Sequence, residues 1–97
     1  MNNLNSVLVE GTVSGEAEFT ERKDFNLCRL AVVSKRYYGD GKLFRTVSFA
    51  VEAYDELAVA CRDKAKINAP VRIVGRMENE DSGNIYILAE HIEFLKN

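Results

Sequence analysis

Between Arg22 and Arg45 the chain mixes cations with flat aromatic rings: Arg22, Lys23, Arg29, Lys35, Arg36, Lys42 and Arg45 stand among Tyr37, Tyr38 and Phe44, against only Asp24 and Asp40. Cations hold phosphates and rings give unpaired bases a face to stack on, so this mixture is what sequence-tolerant binding of a single nucleic-acid strand requires. Each base stacked on an aromatic ring is worth ~1–3 kcal/mol, so a few such contacts matter beside the salt-sensitive phosphate attraction. The same residues also suit a solvated hairpin whose aromatics pack against a second copy. No comparable set exists for catalysis. His91 is the only histidine, and there is no GxSxG, HExxH or glycine-rich phosphate loop, so the expectation is a non-enzyme. His91 itself reads as an ordinary residue of the last strand.

Metal chemistry is equally unsupported. Cys28 and Cys61 lie far apart without CxxC or CxxH spacing, and both sit in apolar stretches that suit buried free thiols. Asp81-Ser82-Gly83-Asn84 has too few carboxylates for a calcium loop and reads as a turn. No metal and no cofactor is expected.

The whole chain is more acidic than its cationic segment. Its 97 residues carry a formal charge of -2, which resolves into +5 between Arg22 and Arg45 and −7 elsewhere. A total that argues against a nucleic-acid partner thus conceals a basic segment on an acidic body. The length suits one domain, 1–97, with 46% hydrophobic and 29% charged residues, values that exclude disordered, collagenous and membrane-spanning classes. The N-terminus has no basic leader and the apolar run after it breaks at Glu10, so no signal peptide or membrane span is read, and a reducing cytoplasm is expected.

Periodicity supplies the elements that must carry these residues. Val7 to Val13 alternates with period 2, and Gly11 within it suggests a bend; a polar connection follows from Ser14-Gly15. A second strand is read from Leu27 to Tyr37, with Cys28, Leu30 and Val32 on one face, and Gly39-Asp40-Gly41 turns the chain. A third strand runs from Leu43 to Ala53, with Val47, Phe49, Val51 and Ala53 on its inner face. The period then changes: Leu57, Ala58, Cys61 and Ala65 recur at helical spacing, which predicts a helix over Tyr54 to Lys66 with Asp55 and Glu56 at its start. Asn68-Ala69-Pro70 ends it, and two strands follow, Val71 to Met77 and Ile85 to Leu95, joined by the turn at Asp81-Ser82-Gly83-Asn84. Three strands, one helix, then two strands is the order of an all-β, five-stranded Greek-key OB-fold barrel with its helix between strands 3 and 4. An SH3-like barrel is the alternative, and it lacks a full helix at that place.

Several stretches carry a family resemblance. Leu30-Ala31-Val32, Phe49 through Ala58 (FAVEAYDELA), and Val71-Arg72-Ile73-Val74-Gly75-Arg76 resemble the bacterial single-stranded DNA-binding protein family. Leu4 through Gly11 is similar to that family's opening strand and Ile87 to Leu95 to its last, so the match spans nearly the whole chain in order. The resemblance implies an OB-fold that binds single-stranded DNA without sequence preference in replication, recombination or repair. It implies a homo-oligomer, dimer or tetramer, often paired through the first strand, with replication or repair proteins as further partners. Carried over by position, the family's aromatic at the tip of the second strand falls at Tyr37 or Tyr38 and the one before the helix at Tyr54. A third falls at Ser48 and is lost, with Phe44 sharing its parity; the fourth falls in a hairpin that is here the short acidic Glu78 to Gly83, which would repel phosphate.

The expected interface is therefore Tyr37, Tyr38, Phe44 and Tyr54 stacking on bases, with Tyr86 as a weaker member, and Arg29, Lys35, Arg36, Lys42, Arg45, Arg72 and Arg76 on phosphates. The family usually ends in a flexible tail with an acidic, apolar tip, whereas the sequence runs only to Lys96-Asn97 after its last strand; a single OB-fold domain without that tail is the expectation. A tail-less relative of the primosomal replication protein B kind, or an OB-fold serving protein–protein assembly with weak nucleic-acid binding, is the alternative.

Overall fold

In a computed structural model describing residues 1–96, the period-2 segments form strands β1 (Val7–Val13), β3 (Asn26–Tyr38), β4 (Leu43–Tyr54), β5 (Pro70–Asn79) and β6 (Ile85–Phe94). The chain end at Asn97 lies outside the described residues. A short strand β2 (Glu18–Glu21) and a helix α1 (Glu56–Lys64) complete the order. The strands form one sheet in the order β1-β5-β6-β4-β3-β2, and an additional β1–β3 pairing closes five of them into a barrel. All pairings are antiparallel except β4 with β6, where Val51 meets Ile87 and Glu52 meets Leu88. This closed, Greek-key, all-β barrel with a helix after the third barrel strand is the OB-fold read from the element order.

Alternation builds the core. Val13, Leu30, Val32, Val51, Val71 and Ile73 are buried from different strands, and among the described residues no polar or charged one is buried with them. Phe49 lies on the same face as Val51 and packs half-buried against that core. The helix closes the cluster with Ala58 and Cys61, both buried free thiol or methyl groups. Gly11 and Gly75 allow two backbones to approach: a Cβ at Gly11 would strike the Val33 carbonyl, and one at Gly75 the Leu88 carbonyl beside a bulge at Val74/Gly75.

Two local readings are corrected. The polar connection after β1 contains β2, in which Phe19 opposite Cys28 packs against the core and carries Arg62 stacked 4.9 Å from its ring centre. Four residues with a single large apolar side chain are too short for periodicity to register. The helix begins at Glu56 rather than Tyr54, because Tyr54 completes β4 opposite Leu27. Asp55 then turns the chain with φ of 57°, its carboxylate accepting from the Asn26 amide at 3.2 Å and its own amide donating to the Asn26 carbonyl at 2.9 Å. The joint fixes Tyr54 as a strand residue, with its ring on a sheet face. Asn68, with φ of 74°, takes the left-handed turn expected before Pro70, which opens β5 where no ladder donor is needed.

Candidate nucleic-acid interface

Register decides which side chains can act together. Along β3 and β4 the pairs Leu27–Tyr54, Arg29–Glu52, Ala31–Ala50, Val33–Ser48, Lys35–Thr46 and Tyr37–Phe44 alternate with Cys28–Ala53, Leu30–Val51, Val32–Phe49, Ser34–Val47, Arg36–Arg45 and Tyr38–Leu43. The second set fills the barrel at its buried end, so the first set forms the barrel's outer face. Tyr37, Phe44, Tyr54, Lys35 and Arg29 therefore share one face, while Tyr38, Arg36 and Arg45 share the reverse. The two faces are both usable only because the hairpin outruns the barrel: every residue from Lys35 to Ser48 is exposed.

On the outer face the rings come in supported pairs. Tyr37 and Phe44 lie 5.6 Å apart between ring centres, tilted by 48°, and Lys35 sits 5.3 Å from the Phe44 centre. Tyr54 lies 5.8 Å from Phe25, a residue that sequence reasoning left out and that only the return of the chain through Asp55 brings alongside. Tyr86 on β6 holds Arg29 at 5.8 Å from its centre. Between the two ends the floor is Ala31, Val33, Thr46, Ser48 and Ala50, small enough to admit a base. The Tyr54 hydroxyl donates to Glu52 at 3.2 Å; burial first, and then the Glu52 charge, hold the phenols of Tyr54 and Tyr86 above the ordinary tyrosine value. On the reverse face Arg36 stacks 5.8 Å from Tyr38, and Tyr38, Leu43 and Arg45 line a shallow cleft that Phe44 borders.

The cations divide sharply by their company. Arg29 binds two carboxylates, Glu52 through one terminal nitrogen and Glu80 at 2.9 Å through the other. Arg72 binds Glu10 at 2.6 Å and Glu93 at 3.3 Å on the β1–β5–β6 side of the barrel, with β6 between it and β4. Arg76 binds Glu78 at 2.7 Å and reaches Glu90 at 4.0 Å. In Arg29 burial pulls the guanidinium down and its two carboxylates outweigh it, and in Arg72 and Arg76 the paired carboxylates outweigh a lesser pull from burial, so all three sit above their usual pKa. Lys42 has only the exposed Asp40 at 3.7 Å, a pair that water screens. Lys35, Arg36 and Arg45 have no carboxylate within ion-pair distance among the described residues. Glu52 and Glu80 were not among the expected site residues, although the acidic turn holding Glu80 was legible as a run of charge. No group of three His, Cys, Asp or Glu side chains able to hold a metal occurs among the described residues, and no helix among them is long and apolar enough to cross a membrane.

The barrel and the exposed face of its longest hairpin define an OB-fold with an open, aromatic and cationic surface on β3 and β4. Solved structures share this fold. A small single-stranded DNA-binding protein from Streptomyces coelicolor superposes with a TM-score of 0.81 at 22% identity, over 97% of this chain and 95% of that one. The second single-stranded DNA-binding protein of Mycobacterium smegmatis gives 0.80 at 14% identity, over 93% and 87% of the two chains. The single-stranded DNA-binding protein of Thermus aquaticus gives 0.79 at 17% identity, over 96% of this chain and 50% of that one. Neither a family model nor a curated protein matches this chain by sequence.

Proposed function

We propose that this chain is a member of the bacterial single-stranded DNA-binding protein family that binds single-stranded DNA without sequence preference, in replication, recombination or repair. The observation carrying this reading is the register of β3 with β4, which sets Tyr37, Phe44 and Tyr54 on one exposed face with Lys35. Bases stack on those three rings and on Tyr86, while Tyr38 offers a ring on the reverse of the hairpin. Lys35, Arg36, Lys42 and Arg45 take phosphates directly; Arg29, Arg72 and Arg76 do so only by leaving a carboxylate. The named functions of the solved structures of the same fold support the choice of ligand. The protein is read as a non-enzymatic binder of the cytoplasm, in keeping with its two free thiols. It is read as a dimer or tetramer, supported by the β1 edge from Val7 to Glu10, which pairs with β5 on one side only.

Titration of labelled oligo-dT at two salt concentrations tests the function: tight binding at low salt that weakens at high salt is expected, and no binding at low salt ends the reading. Light scattering tests assembly, and a monomer at high concentration refutes it. The rival reading, an OB-fold accessory module that docks proteins and holds nucleic acid weakly, is favoured by the exposed Leu43 and Val47 on the reverse face. It predicts oligo-dT affinity that Tyr37→Ala leaves unchanged.

A further inference from the structure

We propose that Glu80 is a built-in stand-in for phosphate, which occupies Arg29 in the free protein and is displaced by the DNA backbone on binding. The inference rests on the single-strand-binding reading and deepens it. Glu80 follows β5 directly, and its backbone is clamped in the turn: its amide donates to the Asn84 carbonyl at 2.7 Å and its carbonyl accepts from the Gly83 amide at 2.9 Å. From this anchored position the side chain reaches Arg29 of β3 at 2.9 Å, although β6 and β4 separate β5 from β3 in the sheet. The acidic turn thus lies across the outer face, beside Tyr86.

Charge and geometry say which carboxylate leaves. One guanidinium needs one anion, and Arg29 has two. Glu52 is the resident partner: its side chain is 14% exposed and it also accepts from the Tyr54 hydroxyl. Glu80 is 33% exposed and has no other side-chain partner among the described residues. Two oxygens of a phosphodiester present themselves to a guanidinium much as a carboxylate does, so phosphate can take the vacated terminal nitrogen while Glu52 stays. The exchange leaves the carboxylate free to swing into water. Until it occurs, Glu80 holds the guanidinium nitrogen that phosphate would use, at the Tyr54–Tyr86 end of the binding face, and lowers affinity.

The test is oligo-dT titration of four proteins at one low salt concentration: wild type, Glu80→Gln, Arg29→Ala, and the double variant. Glu80→Gln should bind about 3- to 10-fold tighter, and the gain should vanish in the double variant. Two control proteins, Glu78→Gln alone and with Arg29→Ala, remove the same charge from the same hairpin and leave Arg76 with only Glu90 at 4.0 Å; they should show a smaller gain that is equal in both backgrounds. A Glu80→Gln affinity equal to wild type, or a gain that persists without Arg29, overturns the proposal. Thermal melts of the four proteins guard against misfolding; if a variant melts early, Glu80→Ala replaces Glu80→Gln. Absence of binding by wild type and Glu80→Gln alike overturns the function itself, whereas binding by Glu80→Gln alone supports both claims.

Discussion

The hairpin of residues 35–48 and the barrel wall behind it contain the same residue types and use them oppositely. On the wall, Arg29, Arg72 and Arg76 are each neutralised by carboxylates from neighbouring strands. On the hairpin, Lys35, Arg36 and Arg45 have no carboxylate within ion-pair distance among the described residues; Lys35 and Arg36 lie over exposed rings and Arg45 lines a cleft with Tyr38. The wall brings no net positive charge to a phosphate, and the hairpin brings several. A count of cations along the chain therefore overstates the interface, and the state of pairing separates structural arginines from available ones.

The contrast can be broken first from the wall side. Gly75→Ala sets a methyl against the Leu88 carbonyl and should cost roughly 1–3 kcal/mol of stability, read as a lower thermal midpoint, whereas Gly15→Ala, with open space around it, should leave the midpoint within about a degree or two. From the hairpin side the signs reverse. Replacing Tyr37 and Phe44 together with Ala should leave the melt unchanged and weaken oligo-dT binding by about 2 kcal/mol, roughly 30-fold, because these exposed rings contact each other and Lys35 rather than the core. Salt dependence sharpens the comparison further: Arg45→Ala should lower the slope of log affinity against log salt by about 1, and Arg72→Ala, whose charge is already matched by Glu10, should leave it unchanged.

The smallest effect concerns the core beneath both regions. Burial pushes the Cys61 thiol up to about 12 from an unfolded value of 9.0. A raised folded pKa means stability is full below pH 9 and is lost as pH rises toward 12, at about 1 kcal/mol between pH 9 and 10. Denaturant melts at those two pH values should show the loss in wild type and a smaller one in Cys61→Ala; equal losses would dissociate Cys61 from it.

Much of this architecture was readable from local pattern. The alternation of Phe49, Val51 and Ala53 fixed the inner face of β4, while Val47, of the same parity, is exposed because the hairpin outruns the barrel; the change of period after β4 announced the helix. Tyr54-Asp55-Glu56-Leu57-Ala58 nevertheless looks like a helix start with an acidic first turn, and only the clasp between Asp55 and Asn26, 29 residues away, assigns Tyr54 to the strand. The site was legible in its ingredients and less so in its grouping. Tyr37 and Tyr38 are neighbours, yet the β3–β4 register sends them to opposite faces. The ion pairs were out of reach of local reading, since Arg29–Glu80 and Arg72–Glu10 span 51 and 62 residues.

The length of the hairpin has one more consequence. Beyond Val51 and Val33 toward the tip, β3 and β4 pair only with each other, so both rims of the ribbon offer unpaired backbone donors and acceptors beside Leu43 and Val47. Such rims invite strand-by-strand aggregation, and charged side chains are a standard defence. Lys35, Arg36, Lys42 and Arg45 stand along this ribbon, so the cations proposed to meet phosphate are also placed to keep the protein from stacking into itself. Stripping them should leave the ribbon free to aggregate, and on the proposed function bound DNA would shield the same edges.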